Sequence, residues 1–265
     1  MQDATGDRPL TPPIAALWTI ALLLLEVVCI QATEAVRPGA QLDFVNVGAC
    51  EALATSAIVF AMVRVHAREA SLRLTLGIRA PAPLHVLLAV AVGAGLFPLL
   101  STIDDLVMRR WPDPSDEAVA AKLLSGLPTY QSRVALVVAM CVVVPLAREL
   151  FFRGIVFNGL RRATNARVAI VSTAVFFLVG SLPDPRLMPT RFGLGLALAL
   201  LRARTGTVVT AIVAHLAFEA VEGIPLLRGA DPTASVTYPT KWIVGGAVIA
   251  LLALVGVGAG KEDVD

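Results

Sequence analysis

The stretch VVVPLARELFFRG, residues 142–154, places three charged side chains, Arg148, Glu149 and Arg153, inside an otherwise apolar run. An apolar run of this kind predicts a membrane-spanning helix, which needs about 20 mainly apolar residues. A charge at the centre of such a helix costs about 2.5–3.5 kcal/mol on insertion scales, so it normally faces the bundle interior and has a partner. Glu149 and Arg153 are four residues apart with Glu first, the favourable order for an ion pair within one helix.

The composition of the whole chain also indicates a membrane protein. Of its 265 residues, 57% are hydrophobic and 16% are charged, and the mean hydropathy is +0.77. Soluble domains contain about 45–50% apolar and about 25% charged residues. A net charge of only +2 without a basic block argues against a nucleic-acid partner. Cys29, Cys50 and Cys141 have no metal-binding spacing, so neither a disulfide framework nor a zinc site is predicted.

The hydropathy pattern predicts an all-α fold, a polytopic membrane helix bundle of about eight transmembrane helices that forms a single domain over residues 1–265. The predicted spans are 14–32, 47–64, 84–101, 132–160, 167–183, 191–202, 206–224 and 241–260. Short alternate loops contain the basic residues Arg64, Arg68, Arg73, Arg79, Arg161, Arg162, Arg167, Arg202 and Arg204. Because basic loops remain on the cytoplasmic side, both termini are expected to be cytoplasmic.

A second polar pair lies in the seventh predicted span, where His215 and Glu219 are four residues apart on one helix face. At 1.5 Å per residue, Glu149 is expected roughly 16 Å, His215 roughly 14 Å and Ser181 roughly 21 Å from the basic ends of their helices. Three helices are therefore predicted to direct polar groups at one interior layer. Taken singly, these residues fit a purely structural role equally well, as a pair that joins helices or as a hydrogen-bonded core histidine.

The order of these residues resembles the CPBP intramembrane proteases, a family that includes type II CAAX prenyl endopeptidases, bacteriocin-processing proteins and myxosortases. The run PLARELFFRG, residues 145–154, resembles the family motif Glu-Glu-x-x-x-Arg. Phe177 to Ser181 resembles Phe-x-x-x-His, and His215 to Glu219 resembles His-x-x-x-Asn/Asp. The resemblance extends over about residues 130–225, the CPBP-like core, and implies a prokaryotic inner or plasma membrane protein.

In active members of that family, the first Glu and the second-motif His activate water, and the third motif stabilises the oxyanion. In this chain Glu149, Arg153 and His215 remain, whereas Arg148 replaces the first Glu, Ser181 replaces the His and Glu219 replaces the Asn/Asp. Neither a guanidinium nor a serine hydroxyl can take the proton of water near neutral pH. Since a buried charge needs a partner, we hypothesise an Arg148–Glu219 ion pair between the fourth and seventh spans.

Three functions remain open at this stage. The first is a catalytically degenerate protease homologue that binds or regulates a lipidated or exported peptide or a membrane-protein partner within the lipid bilayer. The second is an active endopeptidase of CAAX or sorting-tail type, in which Glu149 is the base and His215 assists. The third is an unrelated small transporter, because paired charges and glycine-rich helices also suit one. No cofactor is expected and no metal is assumed.

Overall fold

A computed structural model describes residues 9–67, 70–180, 184–231 and 237–259, and within these ranges the chain is helical and contains no strand. The all-α fold predicted from the sequence is therefore confirmed. The helices are α1 (Pro12–Val36), α2 (Phe44–His66), α3 (Leu72–Thr75), α4 (Pro83–Arg110), α5 (Asp116–Gly126), α6 (Tyr130–Ala163), α7 (Ala166–Val179), α8 (Met188–Thr205), α9 (Val208–Leu227) and α10 (Thr240–Ala259).

Six of these helices, α1, α2, α4, α6, α9 and α10, are long and apolar enough to cross a membrane. The other two predicted spans correspond to α7, which is apolar but has only 14 residues, and to α8, which has 18 residues. Helix α8 contains Arg191, Arg202 and Arg204, and these charges lower its hydropathy. The polytopic bundle is as predicted, and six of the eight expected spans satisfy both length and composition.

The helix boundaries follow from local chemistry at the ends. The Asp43 carboxylate accepts the N–H groups of Val45 and Asn46 and so begins α2. The Thr207 hydroxyl accepts the N–H of Val209 and begins α9. Between α8 and α9, Gly206 has φ 72°, a left-handed conformation that glycine adopts without steric cost. This tight turn reverses the chain and brings α9 back alongside α8.

Two segments of α6 depart from α-helical geometry. Residues Ala139–Val143 and Leu150–Val156 each form a π-helical stretch, and the second begins directly after Glu149. Each wide turn changes the angular position of the side chains that follow it, and such turns are frequent at functional sites. The charged segment 148–153 therefore lies where α6 leaves regular geometry.

Helices α4 and α9 approach each other closely enough to fix α9 in the bundle. A Cβ added at Gly93 would lie 1.9 Å from the carbonyl oxygen of Ala214, so no larger residue fits there. Helix α4 also packs along α10, while α7 packs on α8 and α1 on α2. The neighbour of Ala214 is His215, so this contact helps to set the depth and direction of the histidine.

The two ends of the bundle differ in charge. We call the end where α2 stops and α9 begins the basic end; it carries Arg64, Arg73, Arg79, Arg161 and Arg204. The opposite end, which we call the acidic end, carries the aspartates Asp43, Asp105, Asp113, Asp116 and Asp184 together with the arginines Arg37, Arg109, Arg110 and Arg186. At the basic end the loop after α3 joins the bundle through Thr207, whose hydroxyl donates to the carbonyl of Arg79 over 2.7 Å.

Candidate functional site

The three family positions that this chain retains form one cluster inside the bundle. Glu149 and Arg153 on α6 are completely buried, and His215 on α9 is 1% exposed. The Glu149 Oε1 atom accepts a bond of 3.0 Å from Arg153 Nη1 and lies 2.9 Å from His215 Nδ1. The sequence-based expectation that Glu149 and His215 share an interior layer agrees with this contact.

The guanidinium of Arg153 is enclosed on its remaining sides. Its Nη2 atom donates to the carbonyl of Gly195 on α8 over 2.8 Å, and its carbon lies 4.5 Å from the centre of the Phe177 ring. Phe177, from α7, also meets His215 edge to face with ring centres 5.8 Å apart. The cluster therefore joins α6, α7, α8 and α9, and Glu149 and Arg153 partner each other in the buried interior.

A further layer holds the backbone of this cluster. Arg202, which is 3% exposed, donates from Nε to the carbonyl of Arg153 over 3.1 Å. Its Nη2 atom also bonds the Asn158 side chain, and Asn158 donates to the carbonyl of Thr75 over 2.8 Å. These contacts connect the cluster to the basic-end loop. Arg202 and Asn158 belong to no family motif, and our reading of the sequence did not single them out as part of the site.

Glu219 lies on the side of His215 that faces away from Glu149. Its Oε1 atom is 3.5 Å from His215 Nε2 and 3.8 Å from Arg191 Nη1, so both contacts are loose. The side chains of Glu219 and Arg191 are 19% and 26% exposed. His215 Nε2, Glu149 Oε2 and Arg153 Nε have no hydrogen-bond partner among the described residues. The cluster is therefore closed around Glu149 and Arg153 and partly open at Glu219.

Arg148 does not pair with Glu219, so that hypothesis is wrong. Its guanidinium binds the carboxylate of Glu51 on α2 through two bonds, from Nε to Oε1 and from Nη2 to Oε2 over 2.9 Å. Successive helix residues point about 100° apart, which directs Arg148 toward α2 when Glu149 faces α9. The charges of Glu26 and Glu219 also act on Arg148, but from beyond ion-pair distance.

Two partners in these contacts, Glu51 and Arg191, were not identified from the sequence. Each is a charged residue within a predicted span, and that was the signal that could have identified it. Glu51 stands alone in the apolar run of α2, and Arg191 begins the sixth predicted span. The remaining predicted residue, Ser181, lies outside the described residues. Among those described, no three His, Cys, Asp or Glu side chains are grouped so as to hold a metal ion.

Part of the chain matches a known protein family. Residues 130–221 match the family described as type II CAAX prenyl endopeptidase Rce1-like. The matched region begins with α6 and ends within α9, so it contains every residue of the Glu149 cluster and its family-position neighbours. This match confirms the resemblance seen in the motifs. No curated protein and no solved structure matches the chain.

Proposed function

Because the chain belongs, over residues 130–221, to the Rce1-like family of type II CAAX prenyl endopeptidases, we propose that it is a catalytically degenerate homologue. It binds membrane-associated peptides or protein partners and does not cleave them. Its ligand is a lipidated or exported polypeptide that reaches the bundle from the bilayer. The protein is an integral membrane protein.

The observation that carries this proposal is the environment of Arg148. Arg148 stands where the family has its water-activating glutamate, and the Glu51 carboxylate accepts two bonds from its guanidinium. A guanidinium has donors only and stays protonated, so it cannot accept a proton from water. A general base must lie within hydrogen-bond reach of the proton that it removes. The substitution therefore removes the base, and the Glu51 pair stabilises the replacement.

Glu149 is a poor substitute for the missing base. Its side chain is completely buried, and its Oε1 atom already meets both Arg153 and His215. A general base must lie within hydrogen-bond reach of the water that it activates, and Arg153 and His215 already occupy this oxygen atom. In this role Glu149 positions His215 and joins α6 to α9, a structural function.

A second candidate function, an active endopeptidase, is favoured by one observation. His215 Nε2 has no hydrogen-bond partner among the described residues and lies 3.5 Å from the partly exposed Glu219. In that case Glu219, rather than Glu149, would be the general base and His215 would orient it. Membership in a protease family argues against the third hypothesis, an unrelated small transporter.

The test uses the full-length protein in proteoliposomes with a fluorogenic farnesylated CAAX peptide, beside an active family member as the positive control. We expect no cleavage by the native chain. We also expect saturable binding of the farnesylated peptide, measured by fluorescence anisotropy, that exceeds binding of the unmodified peptide. The triple variant Arg148→Glu, Ser181→His and Glu219→Asn restores the family pattern and should give measurable cleavage.

Two results would overturn the proposal. Cleavage by the native chain that Glu219→Gln abolishes would establish the second candidate, provided that the variant expresses and melts like the native protein. Equal, unsaturable uptake of both peptides would remove the binding role. The matched control is Glu222→Gln, which changes a carboxylate one turn further along α9, at a position outside the family motif.

We also propose that the protein lies in a prokaryotic inner or plasma membrane with both termini cytoplasmic. The arginines of the basic end support this orientation, since basic loops remain on the cytoplasmic side. A cysteine introduced at Arg73 should react with a membrane-impermeant maleimide only after the membrane is opened. Labelling of that cysteine in intact cells would reverse the proposed orientation.

A further inference from the structure

A lateral groove runs along the seam where α2 and α6 pack together, in the half of the bundle nearer the acidic end. Its cavity of about 560 Å³ is lined mainly by apolar side chains, among them Ala49 on α2 and Val138 and Val143 on α6. Val138 and Tyr130 are 47% and 60% exposed, so the groove opens on the outer surface of the bundle. In a membrane-spanning bundle, that surface faces lipid chains.

A second cavity of about 450 Å³ continues the groove toward the acidic end. It shares Val45 and Ala135 with the first cavity, so the two cavities adjoin, and we call them together the trough. Its only charged lining residues among those described are Arg37 and Asp43, which form an ion pair of 2.6 Å. Ser132 adds a hydroxyl group. The trough is therefore apolar at one end and polar, with no net charge, at the other.

We propose that this trough binds one zwitterionic phospholipid, with an acyl chain between α2 and α6 and the headgroup at Arg37 and Asp43. Both cavity volumes fall within the range of about 300–1,000 Å³ that is typical of small-ligand sites. The site does not include the Glu149 cluster, and it does not depend on peptide binding.

Charge complementarity selects the headgroup. A phosphate can accept bonds from the Arg37 guanidinium, and an ammonium group can donate to the Asp43 carboxylate. Burial alone would raise the pKa of Asp43, but the N–H donors of Asn46 and Val45 and the Arg37 guanidinium lower it below its usual value. Asp43 is therefore ionised at neutral pH. An anionic headgroup would leave this carboxylate beside a like charge.

The groove also contacts the part of α6 that leads to Arg148. Ala139 and Val143 line it and are the first and last residues of the first π-helical segment. Pro145 and Arg148 follow within about one and a half turns. A bound chain would therefore pack on an irregular helix segment next to the Arg148–Glu51 pair and restrict its movement.

The test measures lipid binding to the full-length protein by native mass spectrometry after delipidation in detergent. Dioleoyl phosphatidylethanolamine and dioleoyl phosphatidylglycerol are titrated separately. We expect one phosphatidylethanolamine per chain and about tenfold weaker binding of phosphatidylglycerol. Phosphatidylglycerol has no ammonium group to donate to Asp43, and hydrogen bonds between charged groups are stronger than neutral ones. Asp43→Asn keeps a side chain that can begin α2 and should abolish the preference, leaving occupancy by a single lipid.

Two groove variants and one control test the position of the chain. Ala49→Phe and Ala135→Phe place a ring in the trough and should weaken phosphatidylethanolamine binding by about tenfold, because the ring takes the volume that the chain needs. Ala57→Phe changes an exposed alanine on the same helix outside the groove and should bind like the native protein.

Three outcomes would overturn the proposal, each read on variants whose melting temperatures match the native one. The first is equal affinity for the two lipids in the native chain. The second is native-like binding by both groove variants. The third is displacement of phosphatidylethanolamine by an equimolar farnesylated peptide, which would assign the trough to peptide anchors.

Discussion

Two arginines of this chain each bind more than one acceptor, and one of them lies inside the bundle and the other at its acidic end. Arg153 binds Glu149 and the carbonyl of Gly195, and the side chains of Arg153 and Glu149 are both 0% exposed. Arg186 binds Asp116 through two bonds of 2.8 Å and Asp184 through two more of 2.8 Å. Asp116, however, is 48% exposed.

This difference indicates that the exposure of an ion pair, more than its number of bonds, decides how much stability is lost when one partner is removed. Inside the bundle, water cannot replace a lost partner, so the remaining charge is left uncompensated. At the acidic end, water and salt compete with the pair at all times. The carboxylate of the Arg148–Glu51 pair is intermediate, since the Glu51 side chain is 10% exposed. The cost of breaking each pair should therefore follow this order.

The largest effect is expected for Arg153→Met, which leaves Glu149 buried without its cation. We expect a loss of about 3–5 kcal/mol in the free energy of unfolding, the usual cost of removing one partner of a buried pair. The measurement is unfolding of the detergent-solubilised protein by circular dichroism. Adding Glu149→Leu to the variant removes the remaining charge and should recover most of the loss.

Arg186→Met is the control, because it removes an arginine that also binds several acceptors but whose carboxylate partners, Asp116 and Asp184, are 48% and 31% exposed. It should change the free energy of unfolding far less than Arg153→Met does. Equal losses in the two variants, or a double variant no more stable than Arg153→Met, would contradict the dominance of burial.

An intermediate effect is expected for Arg148→Gln, which removes the cation beside Glu51. The buried carboxylate should cost about 1–3 kcal/mol when its charged donor is lost. A second change, Glu51→Gln, should restore stability, whereas Glu219→Gln should not. The double-mutant comparison separates the observed pair from the pair that the sequence suggested.

The decisive result is which second change, Glu51→Gln or Glu219→Gln, restores the stability that Arg148→Gln loses. Rescue by Glu219→Gln and not by Glu51→Gln would return Arg148 to the interior of the family site. Glu51 would then not stabilise the Arg148 replacement, although the base would still be missing, because a guanidinium accepts no proton beside either carboxylate.

The sequence predicted those features that depend on one helix at a time. The spacing of Glu149 and Arg153 gave their ion pair, and helix rise gave the common depth of Glu149 and His215. The partner of Arg148 depended instead on which helix packs against which side of α6. The sequence contains Glu26, Glu51 and Glu219 within spans, and no spacing rule selects among them.

The π-helical segments of α6 set a second limit. Each one shifts the angular position of later residues, and an apolar run with regular periodicity gives no sign of it. Hydropathy likewise counted α8 as a span, although its arginines are used in packing: Arg202 binds the backbone of Arg153. Side-chain direction after such irregularities follows from tertiary packing, which spacing and hydropathy do not specify.

The smallest effect is expected at the acidic end on acidification. Bonds from Arg186 lower the pKa of both Asp116 and Asp184. Since each folded pKa lies below the unfolded value, their contribution is present above about pH 4 and is lost as pH falls through the folded pKa. Screening limits this contribution to about 1 kcal/mol or less.

Amide hydrogen exchange in α5, corrected for intrinsic rates, should be constant from pH 7 to 5 and faster below pH 4. Arg186→Gln should show the faster exchange already at pH 7. If it exchanges like the native protein there, Arg186 does not hold α5, and the exposed pair contributes nothing even locally.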